Sequence, residues 1–289
     1  MNFTSLLLIS SSFSISDFLR SKILTGFPWN LWSYSFSWAT ELLQILNIFG
    51  LYAYNLIVIT FFFLPIILFF RISLFKKIFA FSISILLGFT FYIYGNYAIN
   101  QNQNNSSLVK DYFEIKIISP NFELEYGLSK KQIKKRLEKL IRYSDPTGTT
   151  KTLFIWPEGV FSGFNYEEII SLKKIFSDNF HENHFILFGI SKANSSKSGV
   201  YNTLVVVDNN MKIIKEYRKQ KLVPFGEFLP IEKYLNKFGL KKITEGYGSF
   251  LKGEDQKNLV FDNLNILPLI CYEIIFTKFV QNSEEDTNL

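Results

Sequence analysis

A single cysteine, Cys271, stands among 289 residues, so no disulfide framework can hold this chain together. Histidine is nearly as scarce. His181 and His184 are the two present, no Cys-x-x-Cys accompanies them, and no metal is expected. There is no Gly-rich phosphate loop, no Gly-x-Ser-x-Gly motif and no internal repeat. Charge is sparse in one region only. Residues 1–99 hold seven charged side chains, Asp17, Arg20, Lys22, Glu41, Arg71, Lys76 and Lys77, against 49 in the remaining 190 residues. The net charge of +6 divides evenly between the two parts, and neither is basic enough to mark a nucleic-acid partner. What is abundant is apolar surface, 48% hydrophobic and 18% aromatic, which excludes intrinsic disorder.

The charge-poor third reads as membrane. Leu51–Phe70 is twenty residues without a charge, enough to cross a hydrocarbon core of about 30 Å. Residues 78–98 form a second such run, and Pro65 is tolerable within a span. Arg71, Lys76 and Lys77 lie between the two, so the connecting loop is expected in the cytoplasm and everything after Asn100 outside it. Residues 1–16 lack the basic start and cleavage site of a signal peptide and look like the end of a further span. The stretch from Asp17 to Gly50, with Trp29, Trp32 and Trp38, has the composition of an interfacial aromatic belt.

A polar linker, Asn-Gln-Asn-Gln-Asn-Asn-Ser-Ser, begins at Asn100. Beyond it strand-like and helix-like segments alternate. Residues 113–118, 152–156, 185–190 and 203–207 are β-rich, and Asp208-Asn209-Asn210 is a hairpin turn leading into 211–217. Ser129 with Gln132, and Asn165 with Glu168, are helix-capping pairs. Ile133, Leu137, Leu140 and Ile141 give the first of these helices an apolar face, and its Lys/Arg-rich side reads as solvated. Residues 266–270 read as a central strand buried on both faces. Alternating strands and helices indicate an α/β layered domain.

Polar groups stand just past three apolar strands: Glu158 after Phe154-Ile-Trp-Pro157, Lys219 after Tyr217, and Cys271 with Glu273 after Leu267-Pro-Leu-Ile270. Any one of these is more often a solvated loop residue. Cys271 is harder to dismiss, because an unpaired thiol outside the cytoplasm is exposed to oxidation. A thiol that attacks must become a thiolate, and a carboxylate and a lysine supply its base and its cationic neighbour.

The segment Tyr217-Arg-Lys-Gln-Lys-Leu-Val-Pro-Phe-Gly-Glu-Phe-Leu-Pro230 resembles the lysine segment of the bacterial apolipoprotein N-acyltransferases, membrane members of the nitrilase (carbon–nitrogen hydrolase) superfamily. Trp156-Pro-Glu158 resembles that family's catalytic-glutamate motif, Cys271-Tyr-Glu273 its nucleophile motif, and Tyr201-Asn202 a Tyr-Asn pair before a strand. Thr25-Gly-Phe-Pro-Trp29, Gln44 and Gly50 resemble its loop and helix between membrane spans.

The resemblance implies transmembrane helices followed by an α/β nitrilase-like α-β-β-α sandwich, incomplete at the C-terminus. The implied division is a membrane domain over 1–99, with helices near 1–16, 51–70 and 78–98, a linker over 100–108, and a catalytic domain over 109–289. It implies a Glu158–Lys219–Cys271 triad of base, electrostatic partner and nucleophile, with Glu227, Tyr272 and Glu273 in support. The implied reaction moves an acyl chain from a phospholipid, phosphatidylethanolamine, through a Cys271 thioester to the N-terminal amine of a diacylglyceryl lipoprotein. It needs no cofactor and takes place at the periplasmic face of the inner membrane.

Two departures are visible. Ser119–Gly127 lacks the tryptophan that the family carries there, and both ends are expected to be truncated relative to it. The competing expectations are a membrane-tethered amidase using the same triad, and an inactive remnant.

Overall fold

The computed structural model describes residues 3–23, 26–105, 113–123, 125, 127–194, 199–230, 249–254, 258–281, 287 and 289. Thr25, the end of the polar linker, Leu124 and Tyr126 of the Ser119–Gly127 segment, and most of the polar C-terminal tail lie outside the described residues. The chain divides into two compact units, Met1–Lys110 and Asp111–Leu289.

The first unit is helical: α1 (Phe3–Arg20), α2 (Thr40–Leu43), α3 (Leu46–Phe63) and α4 (Leu74–Asn105). Pro65 sits at the start of a 3-10 turn, Leu64–Phe69, that continues α3. Both carry the expected apolar runs but are longer. Leu46–Phe69 and Leu74–Gln101 are the two described helical stretches long and apolar enough to cross a membrane. Gly50 interrupts α3 with φ 73°, a left-handed conformation that favours glycine. Much of the outer surface is bare hydrocarbon, including Phe69, Phe75, Phe79, Ile85, Leu86 and Phe89. The inner faces pack as two small clusters, one around Leu6, Leu64 and Ile67, the other around Ile45, Tyr54 and Val58. A buried polar residue on α3, Asn55, is satisfied on both sides. Its amide donates to Asp17 Oδ2 at 2.9 Å, and its carbonyl accepts from the Ser33 backbone at 3.0 Å. Asp17 in turn pairs with Arg20 at 2.9 Å. In an apolar setting each of these groups would be costly if left unpaired.

The second unit is built on a five-stranded sheet: β1 (Glu114–Ile117), β2 (Thr152–Ile155), β3 (His184–Ala193), β4 (Val200–Val207) and β5 (Ile213–Arg218). The spatial order is the chain order, with β1–β2–β3 parallel and β3–β4–β5 antiparallel. Each parallel connection carries helix. α5 (Lys130–Ser144) follows β1, and α6 (Tyr166–Ile169) and α7 (Lys173–Asn179) follow β2. Both capping boxes form as the sequence predicts, at Ser129–Gln132 and Asn165–Glu168. The Asp208–Asn210 turn joins β4 to β5, Asp208 Oδ1 accepting from the backbone of Asn210 and Lys212.

The period-2 alternation of strands divides the apolar side chains between two faces. Phe154, Ile186, Phe188, Val205 and Val207 meet Ile133, Leu137, Leu140 and Phe176 of the helices. Leu153, Leu187, Val206 and Tyr217 point the other way, under a two-stranded ribbon of β6 (Leu259–Phe261) and β7 (Leu264–Ile266).

Here one expectation fails. Residues 266–270 are not a central strand. Ile266 ends β7 and the next four residues are irregular. Burial alternates: Leu264, Ile266, Pro268 and Ile270 face the core, while Asn265, Leu267 and Leu269 are half-covered. The segment is therefore buried on one face. On its other edge Leu267 N–H donates to the Leu289 carbonyl at 2.8 Å, and Leu289 N–H to Asn265 O at 3.3 Å. A run of apolar residues hides this alternation, because Leu and Ile suit covered and half-covered positions alike.

Candidate active site

The polar groups past the strands converge. β2 ends at Ile155, and Trp156-Pro157 carry the chain to Glu158, whose stem lies 3.4 Å from where a Cβ on Gly189 of β3 would sit. β5 ends at Arg218, so Lys219 is the first residue past it. The Lys219 side chain is 1% exposed. A buried ammonium needs an anion, and Lys219 Nζ donates to Glu227 Oε1 at 2.8 Å. The turn that supplies Glu227 is locked onto itself: Glu227 N–H donates to Val223 O at 2.8 Å, and Val223 N–H to Glu227 Oε2 at 2.9 Å. The Lys219 main chain is fixed at both ends, its N–H on Asn202 O at 2.9 Å and its carbonyl under Gly253 N–H at 2.8 Å. A side chain on Gly253 would meet Arg218 O at 2.2 Å, which is why the backbones can cross there only at glycine.

Cys271 follows the buried Ile270 but is itself exposed. This continues the alternation of 264–270, and the left-handed φ of 55° at Cys271 ends the extended segment there. Such a conformation costs roughly 1–3 kcal/mol for a residue other than glycine, so neighbours must hold it. Glu273 does so. Its carboxylate is fully buried and accepts four hydrogen bonds, from the backbone of Ile270 (2.9 Å), Gln220 (2.8 Å) and Lys221 (2.8 Å) and from the Tyr217 hydroxyl (3.0 Å). One side chain thus ties the Cys271 turn to the Lys219 segment. Burial raises the proton affinity of Glu273, and the four donors oppose it. Tyr272, between the two, is buried with its hydroxyl on Leu222 O at 2.6 Å and its ring 5.2 Å from Lys219 Nζ. Burial, then Glu227 and Glu273, push its phenol well up.

Cys271 is exposed as a residue but protein crowds one side of its thiol, and that partial burial, then the Glu158 carboxylate, pushes the thiol up, while Lys219 and the Tyr272 N–H pull it down and Glu227 adds to the rise. The resting group is a thiol with a carboxylate and an ammonium in electrostatic reach. That arrangement can deprotonate a nucleophile on demand and stabilise an oxyanion.

All six residues singled out from the sequence lie in this one region. Glu158, Lys219, Glu227 and Tyr272 gather with Cys271, and Glu273 works behind them as a brace. Two participants went unassigned. Tyr217 reads as a strand residue, and its role depends on a partner 56 positions away. Asn202 reads as part of a Tyr-Asn motif with no task, yet its amide contacts both Glu158 and Glu227. Among the described residues no group of three or more His, Cys, Asp or Glu side chains is placed to hold a metal ion.

Residues 129–286 match the carbon–nitrogen hydrolase family model, and residues 2–64 match that of the apolipoprotein N-acyltransferase N-terminal domain. Curated relatives agree along the chain. The apolipoprotein N-acyltransferase of Rhodopseudomonas palustris is 29% identical over 94% of this chain and 52% of its own length. That of Bradyrhizobium diazoefficiens is 29% identical over 98% and 55%, and that of Rickettsia prowazekii 31% over 93% and 53%. The chain spans about half the length of these relatives. With more than half of its residues inside the matched region, and with that region holding every group of the site just described, the chain belongs to the carbon–nitrogen hydrolase family and is similar to its apolipoprotein N-acyltransferases.

Proposed function

We propose that this chain carries the machinery of an apolipoprotein N-acyltransferase, with Glu158, Lys219 and Cys271 as its catalytic triad. The observation that carries the reading is the buried Lys219, held by Glu227 beside an exposed thiol whose charged neighbours are Glu158, Lys219 and Glu227. Glu158 takes the thiol proton as Cys271 Sγ attacks the ester carbonyl of a phospholipid, phosphatidylethanolamine being the donor we name. Lys219 faces the tetrahedral oxyanion, where a donor of this kind is worth about 3–4 kcal/mol. Collapse returns the proton from Glu158 to the departing lysophospholipid oxygen and leaves a thioester. The α-amine of a diacylglyceryl-cysteine then attacks that thioester, gives its proton to Glu158, and leaves as the amide while the thiol re-forms. No step needs a cofactor.

The helical unit, residues 1–99 with the segment to 108, anchors the catalytic unit at the bilayer; that segment is not wholly the polar linker expected, because α4 runs on through Asn105. The positive loop Arg71–Lys77 keeps to the cytoplasm, so the site faces the other side, the periplasm of a bacterial inner membrane. Both substrates are lipids and reach it by lateral diffusion.

The test is covalent. Membranes containing the chain, given alkyne-tagged phosphatidylethanolamine, are expected to show label on the protein that hydroxylamine releases. Label that persists in Cys271→Ala would end the thioester mechanism.

A further inference from the structure

Asn202 lies on β4, opposite Ser191 of β3, where the ladder fixes its backbone. Its amide nitrogen is 3.0 Å from Glu227 Oε1 and 3.4 Å from Glu158 Oε1, and its main-chain carbonyl accepts the Lys219 N–H at 2.9 Å. One residue thus touches three members of the site. The orientation of the amide is settled by its neighbours, since two carboxylate oxygens can face only the NH₂ end.

We propose that Asn202 is the positioning residue that shares one amide between the two carboxylates, holding Glu158 in place and setting how readily it takes a proton. The inference rests on the reading of Glu158 as general base. The donors divide unequally. Glu227 receives three donors, Lys219 Nζ, the Val223 backbone and the shared amide. Among the described residues Asn202 is the one hydrogen-bond donor to the Glu158 carboxylate, at a long distance. A neutral, distant donor orients a base and lowers its basicity only a little. A cation there would leave Glu158 too weak, and an anion would keep it protonated. Glu158 acts on the Cys271 thiol together with Lys219 and Glu227, and it shares the Asn202 amide with Glu227. From β3, Gly189 lies against its stem and brings no charge. Asn202 is the neutral member of this set.

The experiment follows the initial rate of Cys271 acylation from tagged phosphatidylethanolamine, from pH 4 to 9, on the full chain in membranes. Asn202→Asp replaces the shared donor with a third carboxylate. The acidic limb of its profile is expected to move upward by about one pH unit or more, with the rate recovering above the displaced limb. Asn202→Ala removes the donor without adding charge, and its limb should move the same way by less, so the claim stands or falls on it if the aspartate variant does not fold. An acidic limb that stays at the wild-type position in the folded variant, whatever the height of the plateau, overturns the proposal. Glu158→Gln runs alongside. Its silence with an unmoved Asn202→Asp limb defeats the role of Asn202 and leaves the base in place. Near-wild-type acylation by Glu158→Gln removes the base itself and this inference with it.

Discussion

Glu158 stands in a double relation to Cys271. As the base proposed above it would take the thiol proton, yet as an anion nearby it raises the thiol pKa. The two effects separate in Glu158→Gln. Alkylation by iodoacetamide reads only the thiolate fraction, and the wild-type midpoint is expected above the ordinary thiol value of about 8.5. Removing the carboxylate lowers the thiol pKa, so at neutral pH the variant should alkylate faster than wild type while its phospholipid-dependent acylation is lost. Slower alkylation together with lost acylation would mean that Glu158 acts on the sulfur in some other way. Lys219 permits a similar separation. Its ammonium is buried against Glu227 in a site that fits a compact point charge. Lys219→Arg keeps the charge but brings a planar fork into that space, and acylation should fall at least tenfold. Full activity in that variant would remove Lys219 from the chemistry.

At the scale of the element, the brace through Glu273 matters most. Three backbone N–H groups and the Tyr217 hydroxyl all aim at one carboxylate. In Glu273→Gln an NH₂ replaces one acceptor, and at least one buried donor loses its partner at a cost of about 1–3 kcal/mol. Denaturant unfolding of the purified chain should show that loss, and Tyr217→Phe a smaller one of about 1 kcal/mol. Thioester formation should fall in both, because the Cys271 turn is no longer tied to the Lys219 segment. A Glu273→Gln chain as stable as wild type would show that the brace contributes nothing. This is also the scale at which the sequence is most and least readable. Ser129–Gln132, Asn165–Glu168 and Asp208–Asn210 form as expected because each is satisfied within a few residues of itself. Residues 266–270 do not, because whether an apolar run is covered on one face or both is decided by β5 and Leu289, not by the run. The brace joins Tyr217, Gln220 and Glu273 across more than fifty positions, which no local pattern encodes.

The whole molecule raises the question of which side of the membrane each unit occupies. Two stretches long and apolar enough to cross a bilayer, Leu46–Phe69 and Leu74–Gln101, flank a turn whose charges, Arg71, Lys76 and Lys77, are all positive. Two crossings return the chain to the side on which α3 began, so the second unit and the Arg71–Lys77 turn are expected on opposite faces. The scarcity of cysteine makes this easy to measure. Cys271 is the only thiol and it is exposed, so a membrane-impermeant maleimide at pH 8.5, where the raised thiol still ionises in part, should label wild-type chain in intact spheroplasts. Ser73 is exposed in the positive turn. A Ser73→Cys, Cys271→Ala chain should stay unlabelled until the membrane is opened. If the Ser73→Cys thiol labels in intact cells and Cys271 does not, the orientation is the reverse, the catalytic unit is cytoplasmic, and a lipoprotein acceptor on the outer face is out of its reach. If both label without permeabilisation, the two stretches do not span, and the exposed hydrocarbon of Phe75, Phe79 and Leu86 must be covered by something other than lipid tails.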